Sequence, residues 1–224
     1  LNVKKIKFSN NLITFLDSNQ NHGCILSDNF EDHVYENNIF ANAKADDDFS
    51  AGIHERNPST TSRITMINNT FDNIAGTSKC RCFMLDLKRT DGQNIRNNTI
   101  KNCPSGGVLF QIRFIGFNVI SFTIESFIFS DNSVGTTWLY YYQSTPQVLV
   151  LEQSDPESDG FYDRNMLIFS NCYFINNYSP DKGGAINYGN SRFTALTTVR
   201  FLNCKFIKNR ASEGGAISLH LYDG

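Results

Sequence analysis

The residues best suited to hold a cation lie in an acidic stretch in the last third of the sequence. Asp155, Glu157 and Asp159 alternate along the chain and are followed by Gly160, which is the spacing at the start of a calcium-binding loop. Such a loop also needs a bidentate glutamate, and Met166 occupies that position. We therefore interpret the stretch as a solvated loop whose carboxylates contact a partner, and we predict no metal and no cofactor.

A cluster of aromatic residues precedes this acidic stretch. Trp138 and the run Tyr140-Tyr141-Tyr142 are the members of the cluster. Aromatic rings with a polar edge stack on sugar faces and anchor protein interfaces. One hypothesis assigns Trp138-Leu139-Tyr140 to a strand whose alternate residues face inward. Tyr141 and Tyr142 then remain as the aromatic candidates for binding.

Charged and nucleophilic residues elsewhere form no catalytic pattern. Enzymes that cleave polysaccharides use paired carboxylates, or a carboxylate-bound calcium with a basic residue. The Asn-Thr-Asp, Gly-His-Gly and Arg-Ile-Lys signatures of polygalacturonases do not occur, and Asp86, Lys88 and Arg89 lie in an ordinary charged edge. The histidines match no zinc or nucleophile spacing. We predict a noncatalytic protein, with a divergent polysaccharide lyase or hydrolase of the pectin-lyase-like type as the alternative.

These residues belong to an imperfect repeat of about thirty residues. Each repeat unit has one large apolar anchor, and the anchors stand 27 to 32 residues apart except for one gap of 45: Ile13, Phe40, Phe71, Ile100, Phe129, Phe174 and Phe206. A second apolar column lies five residues before the anchors: Phe8, Tyr35, Met66, Ile95, Ile124, Phe169 and Phe201. Alternation around both columns predicts short strands.

A polar column lies three residues before the anchors. Its members are Asn10, Asn37, Asn68, Asn97, Ser126, Asn171 and Asn203. Asparagine tolerates the left-handed backbone of a sharp corner, and its amide both donates and accepts hydrogen bonds. We therefore predict that stacked copies form a structural ladder inside the molecule.

A third strand follows each anchor, and it is often opened by glycine, as in Gly183-Gly184-Ala185-Ile186. Three strands per unit, stacked at about 4.8 Å, predict an all-β fold: a right-handed single-stranded parallel β-helix of about seven coils. We expect residues 1–224 to be one such domain cut from a longer chain. The widest anchor gap predicts a loop insertion at about 133–165, and insertions in solenoids often bind partners.

The last two units carry a pair of motifs. Phe174-Ile175-Asn176-Asn177 precedes Gly183-Gly184-Ala185-Ile186, and Phe206-Ile207-Lys208-Asn209 precedes Gly214-Gly215-Ala216-Ile217. The pairing resembles the repeats of the chlamydial polymorphic membrane proteins, Phe-x-x-Asn with Gly-Gly-Ala-Ile, and is similar to repeats in surface-protein families of some parasitic protists. The resemblance implies an extracellular or cell-surface adhesin whose coils are scaffold and whose loops bind a protein or glycan partner.

Composition narrows the choice of partners. The chain has 20 basic and 22 acidic residues without a basic stripe, so nucleic acid is not an expected partner. No apolar run reaches the roughly 20 residues that span a bilayer, so we predict no membrane span in this segment. Self-assembly with further coils of the parent chain, or a place in a filament or ciliary assembly, is a further alternative.

Cysteines and glycosylation sequons complete the set of candidate residues. Cys172 and Cys204 precede consecutive anchors by two residues, so stacking brings them within disulfide range. A disulfide fits an oxidising exterior and packed thiols fit a reducing interior, and both remain open. Sequons begin at Asn68, Asn97 and Asn177; because the first two belong to the predicted internal ladder, we expect only Asn177 to accept a glycan.

Overall fold

The computed structural model describes residues 4–14, 25–28, 30–45, 50–56, 60–76, 81–87, 92–104, 110–115, 121–133, 149–154, 166–180, 182–189 and 198–220. Within these ranges every regular element is a β-strand, and the strands are numbered β1 to β23 in chain order. All of their pairings are parallel, so the all-β parallel solenoid predicted from the repeat is confirmed.

Two sheets contain seven strands each, one from every repeat unit. The first sheet consists of β1 (Lys5–Ser9), β4 (Asp32–Glu36), β8 (Arg63–Ile67), β12 (Asn94–Arg96), β15 (Ser121–Glu125), β18 (Met166–Ser170) and β21 (Thr198–Leu202). The second sheet consists of β2 (Leu12–Thr14), β5 (Ile39–Ala41), β9 (Thr70–Asp72), β13 (Thr99–Lys101), β16 (Ile128–Ser130), β19 (Tyr173–Ile175) and β22 (Lys205–Ile207).

The third strands of the units form a five-stranded sheet and a separate pair. The five are β3 (Ile25–Asp28), β7 (Ser50–Arg56), β11 (Arg81–Leu87), β14 (Phe110–Ile115) and β17 (Leu149–Ser154), and the pair is β20 (Ile186–Gly189) with β23 (Ile217–His220). A further short pair is formed by β6 (Lys44–Ala45) and β10 (Ala75–Gly76). Strand β17 supplies the third strand of the fifth unit, and residues 138–140, which one hypothesis assigns to a strand, lie outside the described residues.

The two apolar columns fill the interior. Phe40 stacks on Phe71 with ring centroids 5.0 Å apart, and Phe174 stacks on Phe206 at 4.9 Å. Phe40, Phe71 and Phe174 are fully buried, and each such ring stabilises the fold by about 1.5–3 kcal/mol. Every ring packs between the units above and below it, so the stability of one unit depends on its neighbours.

A single left-handed residue makes the corner between the first and second sheets. All seven members of the predicted ladder column have φ between 53° and 58°. The prediction that this column is internal is wrong, because all six of its asparagines are exposed and Ser126 is half-buried. The asparagines do stack: Asn68 Nδ2 donates to Asn37 Oδ1 at 3.1 Å, and Asn37 Nδ2 donates to Asn10 Oδ1 at 3.2 Å.

The internal ladder lies one residue further along the chain. Asn69 is buried; its Oδ1 accepts hydrogen bonds from the backbone N–H of Asn38 at 3.1 Å and from Asn38 Nδ2 at 3.0 Å. Its own Nδ2 donates to the carbonyl of Tyr35 at 2.8 Å. Met66 is buried, Ile67 is half-buried and Asn68 is exposed. The left-handed corner residue therefore interrupts the alternation and faces outward like the residue before it, and the inward face resumes at Asn69.

The internal asparagines change corner midway along the solenoid. In the first four units they follow the first corner: Asn11, Asn38, Asn69 and Asn98. In the last three they follow a second left-handed corner, after the anchor strand: Asn132, Asn177 and Asn209. The Phe-x-x-Asn motif therefore combines an inward anchor with an internal ladder residue.

Candidate functional site

The residues predicted to bind a partner lie outside the described part of the chain. Tyr141 and Tyr142 precede β17 in sequence, and Asp155, Glu157 and Asp159 follow it. Strand β17 pairs with β14 in continuous register, from Phe110 with Leu149 to Ile115 with Ser154. The predicted insertion thus contains one regular strand of the third sheet, and the candidate binding residues stand in the segments on either side of it.

A polar cluster inside the second repeat unit contains the titratable side chains His33, Tyr35 and Glu55. His33 and Tyr35 come from alternate positions of β4, and Glu55 comes from β7. His33 Nδ1 lies 2.8 Å from Glu55 Oε1, and the Tyr35 hydroxyl donates to the same oxygen. All three residues are fully buried. The triad therefore crosses the interior from the first sheet to the third.

The electrostatics of this triad are those of a closed site. Burial raises the pKa of Tyr35 well above its usual value, and the neighbouring Glu55 raises it further by its charge and its hydrogen bond. Among the residues that the structure describes, His33 Nε2 and Glu55 Oε2 have no hydrogen-bond partner. Because no member of the triad is accessible, it cannot contact a substrate in this arrangement, and we assign it to the interior packing rather than to a binding surface.

The sequence contains a signal for this triad. His33 and Gln93 are the exceptions in the apolar column two residues before Tyr35 and its equivalents, and Glu55 stands two residues after the buried Ile53. Gln93 caps backbone groups: its Oε1 accepts from the N–H of Ile64 at 2.7 Å and its Nε2 donates to the carbonyl of Ser62 at 3.0 Å. Polar residues at inward positions thus indicate internal hydrogen bonds in both cases.

Cys172 and Cys204 occupy the internal ladder position after the first corner. Cys172 Sγ donates to the carbonyl of Ile124, and Cys204 Sγ donates to that of Phe169, both at 3.4 Å. Asn69 uses the equivalent carbonyl of the preceding unit, so the thiols take the place of the amides. Both are free thiols in the structure, and their disulfide stays a prediction. Burial is the main cause that raises the pKa of Cys172 to about 12.

The three sequon asparagines show the opposite of the predicted exposure. Asn177 is fully buried, and its Nδ2 donates to Asn209 Oδ1 at 3.0 Å and to the carbonyl of Phe129 at 2.9 Å. Asn68 and Asn97 are exposed. The prediction that only Asn177 accepts a glycan is therefore wrong, because the amide of Asn177 belongs to the internal ladder and the amides of Asn68 and Asn97 do not.

In the described ranges no group of three or more histidine, cysteine, aspartate or glutamate side chains is placed to hold a metal ion. Those ranges also contain no helix with the length and apolar character that crossing a membrane requires. Comparison of the chain with protein-family models, curated proteins and solved structures found no match.

Proposed function

We propose that this chain is a noncatalytic scaffold of a cell-surface protein, adhesin-like in character, which binds a protein or glycan partner through its loops. The observation that carries the proposal is the register across the longest connection. Ile128 pairs with Tyr173 and Ser130 with Ile175, so stacking continues although these residues are 45 positions apart. The extra chain between them leaves the register of the first and second sheets unchanged. Apart from β17, it is therefore suited to be an appendage that serves contact.

The composition of the segments beside β17 supports binding. They contain Tyr141 and Tyr142 on one side and the carboxylates Asp155, Glu157 and Asp159 on the other. Tyrosine contributes a large apolar ring with a polar edge, and carboxylates accept hydrogen bonds from sugar hydroxyls or from basic side chains. The resemblance of the last two units to the chlamydial polymorphic membrane proteins supports a surface location.

The experiment is a binding assay on a glycan array and on immobilised cell-surface proteins. We expect the chain to bind one of these classes, and Tyr141→Ala with Tyr142→Ala to weaken binding at least tenfold. Tyr178→Ala is the matched control, because Tyr178 is an exposed tyrosine of the described wall. The proposal fails if the folded chain binds neither class, or if the control weakens binding as much as the double variant.

A polysaccharide-cleaving enzyme is the second candidate, and one register observation favours it. Asp86 pairs with Arg113 and Arg113 pairs with Glu152 across β11, β14 and β17. Two carboxylate residues thus stand two units apart, at about 9.6 Å along the stacking axis, with a basic residue between them. Release of reducing sugars or unsaturated products by the chain, abolished in Asp86→Asn and in Glu152→Gln, would establish the enzyme and exclude the noncatalytic scaffold.

A further inference from the structure

Two sequons occupy the same place on consecutive turns of the solenoid. Asn68-Asn69-Thr70 and Asn97-Asn98-Thr99 both begin at the corner residue between the first and second sheets. The φ angles of Asn68 and Asn97 are 57° and 55°, and both residues are exposed. The corner therefore presents two equivalent acceptor asparagines on the surface.

The corner also places the sequon hydroxyl on the outer side. Thr70 pairs with Ile39 and Thr99 pairs with Ile128, and both isoleucines are exposed members of the outward column of the second sheet. Only the middle residue of each triplet turns inward, where Asn69 and Asn98 are fixed in the internal ladder. The acceptor amide and the hydroxyl thus share the outer face, while the residue between them anchors the triplet.

The acceptor nitrogen of Asn68 keeps a hydrogen for substitution. Its Nδ2 carries two hydrogens, and within the described part of the chain it donates one of them, to Asn37 Oδ1 at 3.1 Å. Asn177 differs, because both of its amide hydrogens are donated inside the core, to Asn209 Oδ1 and to the carbonyl of Phe129. A sugar on Asn177 would replace a hydrogen that makes a buried hydrogen bond and would have no space between stacked turns.

We propose that Asn68 and Asn97 are acceptors of asparagine-linked glycans and that Asn177 is not, an inference that rests on the proposed surface function. The sugar donor is a lipid-linked oligosaccharide. The amide nitrogen bonds to the anomeric carbon and loses one proton, while the bond from that carbon to the phosphate breaks and the polyprenyl diphosphate leaves. Within each repeat unit this corner connects the first strand directly to the second. The connections of variable length lie before and after the third strand.

The test is secretion of the chain from eukaryotic cells behind a signal peptide. Enzymatic removal of glycans in heavy-oxygen water then marks every occupied asparagine for peptide mass mapping. We expect the mark at Asn68 and Asn97 and its absence at Asn177. Thr70→Val should abolish the mark at Asn68 alone, and Thr99→Val the mark at Asn97 alone, because each removes one hydroxyl and leaves both ladders unchanged.

A secreted, folded chain without glycans at Asn68 and Asn97 overturns the inference, and so does a glycan on Asn177 in the folded protein. The double variant Thr70→Val with Thr99→Val separates this result from the proposed function. Its partner binding should equal that of the glycosylated chain. Binding without glycans would refute only the glycan inference, whereas glycans without any partner binding would refute only the proposed function.

Discussion

The imidazole of His33 and the carboxylate of Glu55 face each other across the closed interior, with Nδ1 and Oε1 2.8 Å apart. The Tyr35 hydroxyl donates to the same carboxylate oxygen. One oxygen thus serves two partners, while Glu55 Oε2 and His33 Nε2 have none within the described ranges. Burial of polar groups costs free energy unless their hydrogen bonds are complete, so this triad weakens the fold relative to an apolar core of the same shape.

Removal of one member of the triad should lower the free energy of unfolding more than replacement of all three. Glu55→Leu leaves the Tyr35 hydroxyl and His33 Nδ1 buried without an acceptor, and we expect a loss of about 3–5 kcal/mol. His33→Ile, Tyr35→Phe and Glu55→Leu together insert the residue types that neighbouring units have in these columns. The triple variant should equal or exceed the native stability, by up to about 4 kcal/mol. Urea unfolding followed by circular dichroism measures both, and a triple variant less stable than Glu55→Leu would contradict the argument.

The raised pKa of Tyr35 predicts a loss of stability in alkali. The unfolded chain releases this proton near pH 10, whereas the folded protein retains it to higher pH. Stability is therefore fully present below about pH 10 and falls as the pH rises from there toward the folded-state pKa of Tyr35. Tyr35→Phe should reduce the slope of unfolding free energy against pH above 10, and the partly exposed Tyr173→Phe is the control. Equal slopes in the two variants would show that the Tyr35 proton is not the cause.

The anchor columns were predictable from the sequence because their cause is periodic. Each anchor must contact the residue one turn above and below it, so Phe40, Phe71 and Phe174 recur at the repeat length. The corner was predictable for the same reason, since only a residue that tolerates positive φ suits that position in every unit. Composition alone could not show which of two adjacent asparagines turns inward, and the exposed column has the more uniform composition.

The triad and the late third strand were harder to predict. His33 and Glu55 are joined by a contact across the interior, and a contact of this kind occurs once and leaves no period in the sequence. The third strand of the fifth unit begins at Leu149, far from its anchor Phe129, so the repeat spacing does not indicate where it starts. Insertions change the distance along the chain without changing the register in the sheet.

The two asparagine ladders should differ in their contribution to stability. Asn69→Ala removes the oxygen that accepts from the backbone N–H and Nδ2 of Asn38 and the amide that donates to the carbonyl of Tyr35. These buried hydrogen bonds are lost, and Asn38 Nδ2 keeps its donation to the carbonyl of Phe8. We expect a loss of about 2–4 kcal/mol, since each orphaned group costs about 1–3 kcal/mol. Asn68→Gly should cost less than about 1 kcal/mol, because the corner is exposed and glycine adopts positive φ. Equal losses in a urea titration would refute the distinction between inner and outer ladders.

Cys172 should be the less reactive of the two stacked cysteines. Its pKa of about 12 leaves almost no thiolate at pH 8, and its sulfur is buried, whereas Cys204 is partly exposed. Alkylation of the native chain at pH 8, followed by peptide mass mapping, should label Cys204 at least tenfold faster. Unfolding in urea should equalise the rates. If native Cys172 reacts as fast as Cys204, the packing of the Cys172 thiol against Ile124 is not maintained in solution. If neither cysteine reacts until a reductant is added, the predicted disulfide is present.

Gly184 and Gly215 occupy the same column in consecutive units but should respond differently to alanine. A Cβ on Gly184 would lie 2.5 Å from the carbonyl oxygen of Gly215 and closer still to that of Arg210, both backbone atoms that cannot move independently. Moreover, the Gly184 N–H donates to the Gly215 carbonyl at 2.9 Å, so relief of the clash would break a bond between units. A Cβ on Gly215 would meet only the carbonyl oxygen of Asn209, at 3.9 Å, among the described atoms.

We expect Gly184→Ala to cost at least about 1–3 kcal/mol and Gly215→Ala to stay within about 0.5 kcal/mol of the native chain in thermal and urea unfolding. An equal loss in both variants would mean that glycine is required at this column by backbone conformation rather than by the approach of the next turn.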